Sequence, residues 1–177
     1  KNLGEYDFAE ECLIEAVQIR KTLAQGQPHP DYAMALDQLG KLRREVGNYA
    51  TSLEATSKAA AMLEETHGFE SLKCLKVYRN LAEVHQHLKN FNKAEELFLK
   101  IRRRLEENTN TENHEYASTL ENLANLYEQI GDLRRAEVLL KQFVEVQRQV
   151  RGIEHSEYAG ALRDLGNFYM RYATDAL

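Results

Sequence analysis

The sequence predicts an all-α fold, a solenoid of antiparallel helix pairs, and three observations carry that prediction. Only 2 prolines and 9 glycines interrupt 177 residues, which leaves room for long helices and argues against a turn-rich β design. The pair Leu39-Gly40 recurs as Leu81-Ala82, Leu123-Ala124 and Leu165-Gly166, each 42 residues after the last. Within each period apolar residues fall at steps of 3 and 4, the spacing of one helix face.

Eight helices follow in order. The first, over 6–24, comes after Gly4-Glu5-Tyr6, which reads as the later turn Gly47-Asn48-Tyr49 one residue out of step. The second, over 30–46, opens at Pro30, whose missing N–H costs nothing in a first turn, and carries Tyr32, Leu36 and Leu39-Gly40. The third, over 48–66, follows Gly47-Asn48 and ends before Gly68, a residue suited to the left-handed conformation past a helix end. The fourth, over 71–88, has Ser71 as N-cap and carries Cys74, Tyr78 and Leu81-Ala82 in phase. The fifth, over 91–108, follows Lys89-Asn90-Phe91, where lysine stands in for the turn glycine. In the sixth, over 114–129, Tyr116, Leu120, Leu123, Ala124, Tyr127 and Ile130 make one face. The seventh, over 132–150, follows Gly131-Asp132 and lines up Leu133, Ala136, Leu139, Leu140, Phe143, Val146 and Val150. The eighth, over 156–172, follows Gly152 with Ser156 as N-cap and carries Tyr158, Leu162 and Leu165-Gly166.

No single pair can bury its apolar stripe alone, so the pairs must stack on one another. The in-phase small residues Gly40, Ala82, Ala124 and Gly166 mark where paired helices touch. The chain reads as one array over 1–177: a partial repeat at 1–26, repeats at about 27–68, 69–110 and 111–152, and a partial repeat at 153–177. The polar connection Glu106 to Asn113 does not break the phase. Because the chain opens mid-pattern at Lys1-Asn2-Leu3-Gly4, it reads as a window on a longer array.

Composition bounds the function. Hydrophobic residues at 43% can build a core, and a net charge of -5 speaks against a general nucleic-acid or anionic-membrane partner. Nothing approaches the roughly 18 to 20 apolar residues that span a bilayer, so no membrane insertion is expected. Two cysteines, Cys12 and Cys74, cannot make a secreted disulfide framework or a zinc site, which favours an intracellular, cytoplasmic setting. Both lie on apolar stripes and read as buried thiols.

The pattern Leu123-Ala124, Tyr127, Gly131, Leu133, Ala136 resembles the tetratricopeptide repeat. The long period resembles the repeats of kinesin light chains, in which an Ile-Arg run ends one repeat and Gly-x-x-His-Pro leads into the next. Here Ile19-Arg20 precedes His29-Pro30, and Val146-Gln147-Arg148 precedes Gly152-Ile153-Glu154-His155. Arg43 and His85 depart from the pattern at the aromatic position held by Tyr127 and Tyr169. The resemblance implies a right-handed superhelix acting as a non-enzymatic protein-interaction module, a scaffold or adaptor.

It also implies a peptide-binding groove lined by the first helix of each pair. The expected face carries Asp37, Gln38, Lys41, Arg44 and Glu45, then Arg79, Asn80, Glu83, Gln86 and His87, then Glu121, Asn122, Asn125, Glu128 and Gln129, then Arg163, Asp164, Asn167 and Arg171. The expected peptide contacts among them are Gln38, Lys41, Arg79, Asn80, Glu83, Glu121, Asn122, Asn125, Arg163 and Asn167. Related proteins hold extended peptides with an asparagine ladder, matched here by Asn80, Asn122, Asn125 and Asn167. A side-chain amide both donates and accepts, so it can pair with a peptide backbone whatever its side chains. Lys41, Arg79 and Arg163 would select acidic side chains. The intruding acids Asp37, Glu83 and Glu121 argue against a carboxylate-terminus clamp and for a partner of both charges. The alternative function is self-association through the end helices 6–24 and 156–172.

Catalysis finds no support. No His-Glu-x-x-His, phosphate loop or nucleophile elbow occurs, and no metal or cofactor is expected. His29 and His155, three periods apart, read as junction hydrogen bonders. His85 and His87 point to different helix faces. The adjacent glutamate pairs read as solvated faces, and Arg102-Arg103-Arg104 as a dipole-matched helix end.

Overall fold

A computed structural model describes residues 3–108 and 114–172. Eight α-helices run in chain order: α1 (Leu3–Leu23), α2 (Pro30–Glu45), α3 (Tyr49–His67), α4 (Leu72–His87), α5 (Phe91–Glu107), α6 (His114–Ile130), α7 (Leu133–Arg151) and α8 (Ser156–Tyr172). No strand occurs among the described residues. The helices divide into two compact units, Lys1–Leu97 and Phe98–Leu177, that part within α5. Residues 109–113 of the expected polar connection and 173–177 of the last partial repeat lie outside the described residues.

In the first unit α1 packs on α2, α2 on α3, and α3 on α4, with α2 also touching α4. Its core is Tyr32, Ala33, Leu36, Leu39, Ala55, Ala59, Ala60, Leu63, Cys74, Leu75, Val77, Leu81, Ala82 and Val84, closed by Ala94 and Leu97 of α5. In the second unit α6 packs on α7 and α7 on α8. Phe98, Ile101 and Leu105 of α5 join Tyr116, Leu120, Leu123, Ala124, Leu126, Tyr127, Ala136, Leu139, Leu140 and Phe143 in its core. Burying each large apolar side chain contributes about 1.5–3 kcal/mol, which is why the 3-and-4 stripes decide the helix faces.

The period is written in the backbone as well. Asn48, Asn90 and Asp132 donate their N–H groups to the carbonyls of Arg43, His85 and Tyr127, at 2.7, 2.9 and 2.9 Å. Gly47, Lys89 and Gly131 just before them donate to Arg44, Gln86 and Glu128. Together these are the paired bonds of a Schellman helix end. The motif needs a left-handed residue, and φ is 83° at Gly47, 62° at Lys89 and 89° at Gly131. Lys89 therefore holds a conformation its Cβ disfavours, because the surrounding turn demands it. At the other junctions Gly68 and Gly152 are left-handed C-caps, as expected.

Helix starts match with two differences. Pro30 stands in the first turn of α2, and Ser71 Oγ accepts the Cys74 N–H at 3.2 Å. Ser156, expected as an N-cap, instead opens the helix, and His155 Nδ1 accepts the Glu157 N–H at 3.2 Å. His29 Nδ1 does the same for the Asp31 N–H at 3.1 Å. The two junction histidines thus cap in the way Asx side chains do, which gives their shared phase a physical cause. Gly4-Glu5-Tyr6, expected as a turn, lies inside α1. Gly4 has no left-handed φ, so nothing there stops the helix, and Glu5 favours its N-terminal dipole.

The small in-phase residues divide as well. Gly40 meets α3 closely: Ser52 Oγ donates to its carbonyl at 2.7 Å, and an added Cβ would lie 2.3 Å from Thr56 Oγ1. Ala82 and Ala124 are buried. Gly166 is exposed, and a Cβ there would meet nothing within 4 Å, because no helix among the described residues covers that face of α8. Ile130 is likewise exposed at the end of its stripe. Cys74 is buried as expected, but Cys12 is exposed, since the stripe of α1 on which it lies is uncovered among the described residues.

Candidate protein-binding faces

In the first unit the expected lining residues of α2 and α4 form an ion network. Asp37 is 1% exposed, and a buried carboxylate must have both oxygens engaged. Asn80 Nδ2 donates to Oδ1 at 2.8 Å and Lys41 Nζ pairs with Oδ2 at 2.8 Å. One turn on, Glu83 receives both Arg44 and Arg79, the latter at 2.9 Å. The cations expected to select acidic side chains, Lys41 and Arg79, thus already hold acids of the protein. Asn80, expected in the peptide ladder, is buried and turned inward. Gln38 stands exposed beside them.

The ends of α3 and α4 meet through aromatic faces. Tyr49 stacks on His87 with centroids 4.8 Å apart and planes 7° from parallel. Burial, with Arg44 nearby, holds the His87 ring below its ordinary range. His85, half-buried at the aromatic position of the repeat, has a buried Nδ1 with no hydrogen bond among the described residues. Its basicity is lowered first by burial and then by Lys93.

In the second unit the corresponding residues of α6 and α8 enclose a cavity of about 280 Å³. Glu121, Asn125 and Glu128 line it from α6, and Arg163, Asp164 and Arg171 from α8, with buried Leu140 of α7 adding an apolar wall. Glu128 is held by Arg171 and by the Tyr172 hydroxyl, which donates at 3.0 Å. Arg163 pairs loosely with its neighbour Asp164 at 3.3 Å and stays 72% exposed. Glu121 and Asn122, half-buried, have partners within the protein. Asn125 is exposed and has no hydrogen-bond partner among the described residues. Half-buried Asn167 offers an unengaged amide one helix away, on α8.

The structure thus gathers Glu121, Asn125 and Arg163 around one cavity, and places Gln38, Lys41, Arg79, Asn80 and Glu83 on the face of the first unit. Glu128, Asp164 and Arg171, expected on the same face by the repeat phase though not among the peptide contacts, also line the cavity. Leu140 was legible only as core, since its stripe position gave no sign of the cavity rim.

Residues 74–149 match the family model of the tetratricopeptide repeat. No curated relative matches the chain by sequence. Among solved structures, BtubC (BKLC) from P. vanneervenii is similar at 22% identity and TM-score 0.78, over 94% of this chain and 66% of that one. A protein of nearly identical TPR-like repeats from Podosopora anserina, assigned to the kinesin light chains, is similar at 21% identity and TM-score 0.78, over 97% of this chain and 81% of that one. A single-substitution variant of that protein matches at 20% identity and TM-score 0.80, over 97% and 80%. The chain thus spans just under two thirds of BtubC, and at these identities the likeness establishes the fold.

Proposed function

Because the chain is built of tetratricopeptide repeats of the kind seen in kinesin light chain-like proteins, we propose that it is a non-enzymatic protein-interaction module that holds a peptide segment of a partner. Tetratricopeptide repeats are in general protein-binding scaffolds, and the specific role belongs to the site. Each unit is read by itself. In the second unit the peptide lies along α6 and α8, with Asn125 and Asn167 pairing with its backbone and Glu121, Asn122 and Arg163 meeting its side chains. In the first unit Gln38 is the exposed amide on the α2–α4 face, which Lys41, Arg79, Asn80 and Glu83 brace and whose charge pattern they set.

The observation that carries this reading is the α6–α8 cavity. It combines an unengaged amide, charges of both signs and an apolar wall, the mixture that takes a polar, extended segment. The test is fluorescence anisotropy with labelled peptides that alternate lysine and glutamate. Asn125→Ala combined with Asn122→Ala should weaken binding about tenfold or more, the equivalent of about 1.4 kcal/mol, while the helical signal stays intact. Unchanged affinity in a folded double variant would sink the groove reading.

A second reading, self-association through the end helices, is supported by the apolar residues that α1 and α8 expose.

A further inference from the structure

The α4–α5 turn departs from the other turns of its kind in conformation and in charge. Gly47 and Gly131 supply the left-handed residue of their turns at no steric cost, yet Lys89 holds that place here, with φ at 62°. Glycine serves the same turn twice, so the fold does not ask for lysine, and a non-glycine held there points to a use for its side chain. Around it, His85 to Ala94 holds two histidines, two lysines, the amides of Gln86, Asn90 and Asn92, and Phe91, but no acid. The in-phase stretches 43–52 and 127–136 do carry acids, Glu45 in one and Glu128 and Asp132 in the other. In a chain of net charge -5 this end is a local reversal of sign.

Lys89, Asn90, Phe91, Asn92 and Lys93 line an open recess of about 520 Å³. Phe91 is half-buried and the other four are exposed. The Lys89 ammonium stands 5.7 Å from the Phe91 ring centroid and has no acid partner among the described residues. Lys93 pairs with Glu96 at 2.9 Å, but both side chains are at least half exposed, so water screens the pair and a second carboxylate can compete for the ammonium. Two residues before Lys89, exposed His87 lies flat on Tyr49. Both histidines feel these charges. After burial, Arg44 and then Lys89 lower the basicity of His87, against Glu83, and Lys93 lowers that of His85, against Glu96.

We propose that this turn is a docking point for an acidic segment of a protein partner that carries an aromatic side chain. Its carboxylates meet Lys89 and Lys93, its ring packs on Phe91, and Asn90 and Asn92 pair with its backbone. Two lysines make too few phosphate contacts to hold a nucleic acid against salt, which favours a peptide. The site shares no residue with the α6–α8 cavity and does not depend on it.

The test is fluorescence anisotropy of the whole chain with a labelled peptide of four glutamates around one phenylalanine. Lys89→Gly restores the residue of the other turns, so it should weaken binding about threefold or more while the urea midpoint falls no lower. Lys93→Gln leaves the backbone untouched and should weaken binding to a similar degree, and the double variant about tenfold. Asn122→Ala with Asn125→Ala should leave this affinity unchanged. The inference fails if the double lysine variant binds as the wild type does. It fails if the asparagine variant loses the peptide, which would place the peptide in the cavity instead. It fails equally if a thymidine oligonucleotide of the same charge binds more tightly than the peptide, which would make the turn a nucleic-acid site.

Discussion

Gly40 and Gly166 hold the same place in the repeat and should answer an added methyl group oppositely. At Gly40 the new Cβ would press on Thr56 Oγ1, 2.3 Å away, so Gly40→Ala should destabilise the chain by about 1–3 kcal/mol. At Gly166 nothing stands within 4 Å, and alanine should stabilise the helix by about 0.5–1 kcal/mol. Urea unfolding with unchanged slope reads both, and equal signs would refute the account of which faces are covered. His85 gives a pH dependence. Burial and Lys93 lower its proton affinity, so below about pH 6.5 the unfolded chain takes up a proton that the folded chain resists. Its contribution is complete above that pH and is lost as pH falls through the window beneath it. His85→Tyr, which restores the aromatic of the repeat, should flatten that part of the decline in urea midpoint between pH 7 and 5. Thiol labelling of dilute protein should modify Cys12 readily and Cys74 only after unfolding. Residue-scale facts were only partly legible in the sequence. The shared phase of His29 and His155 announced a common role. The inward turn of Asn80 did not show, because it depends on Asp37, 43 residues away in the chain.

At the scale of elements, Asn80 and Asn125 separate bracing from binding. Asn80→Ala leaves a buried carboxylate short of one donor and should cost about 1–3 kcal/mol of stability. Asn125→Ala removes an exposed amide and should change stability by no more than about 0.5 kcal/mol. Chemical denaturation of the two variants checks the contrast. Helix bounds were the most legible feature, within about two residues for seven of the eight helices. The reason is local: left-handed residues, caps and 3-and-4 stripes act within one turn of where they stand. The start of α1 was misread because a glycine does not by itself end a helix, and Gly4 keeps a helical backbone without a left-handed φ. What covers a stripe is not local. Cys12 and Gly166 looked buried by analogy with their phase mates, yet their faces have no covering helix among the described residues.

At the scale of the whole molecule, the proposed use is that the face lined by α6 and α8 receives an extended peptide, gripped by the unengaged amides of Asn125 and Asn167. No helix among the described residues is long and apolar enough to cross a membrane. The repeat made the fold readable, but the cavity arises from residues on three helices whose approach only the structure shows. The most direct test is an amide-detected NMR titration of the chain with peptides that alternate lysine and glutamate. The account predicts saturable shifts of the Asn125 and Asn167 side-chain amides and of backbone amides around Glu121 and Arg163, with the Asn80 amide unmoved in its bond to Asp37. Shifts confined to other helix faces, with Asn125 and Asn167 silent, would contradict it.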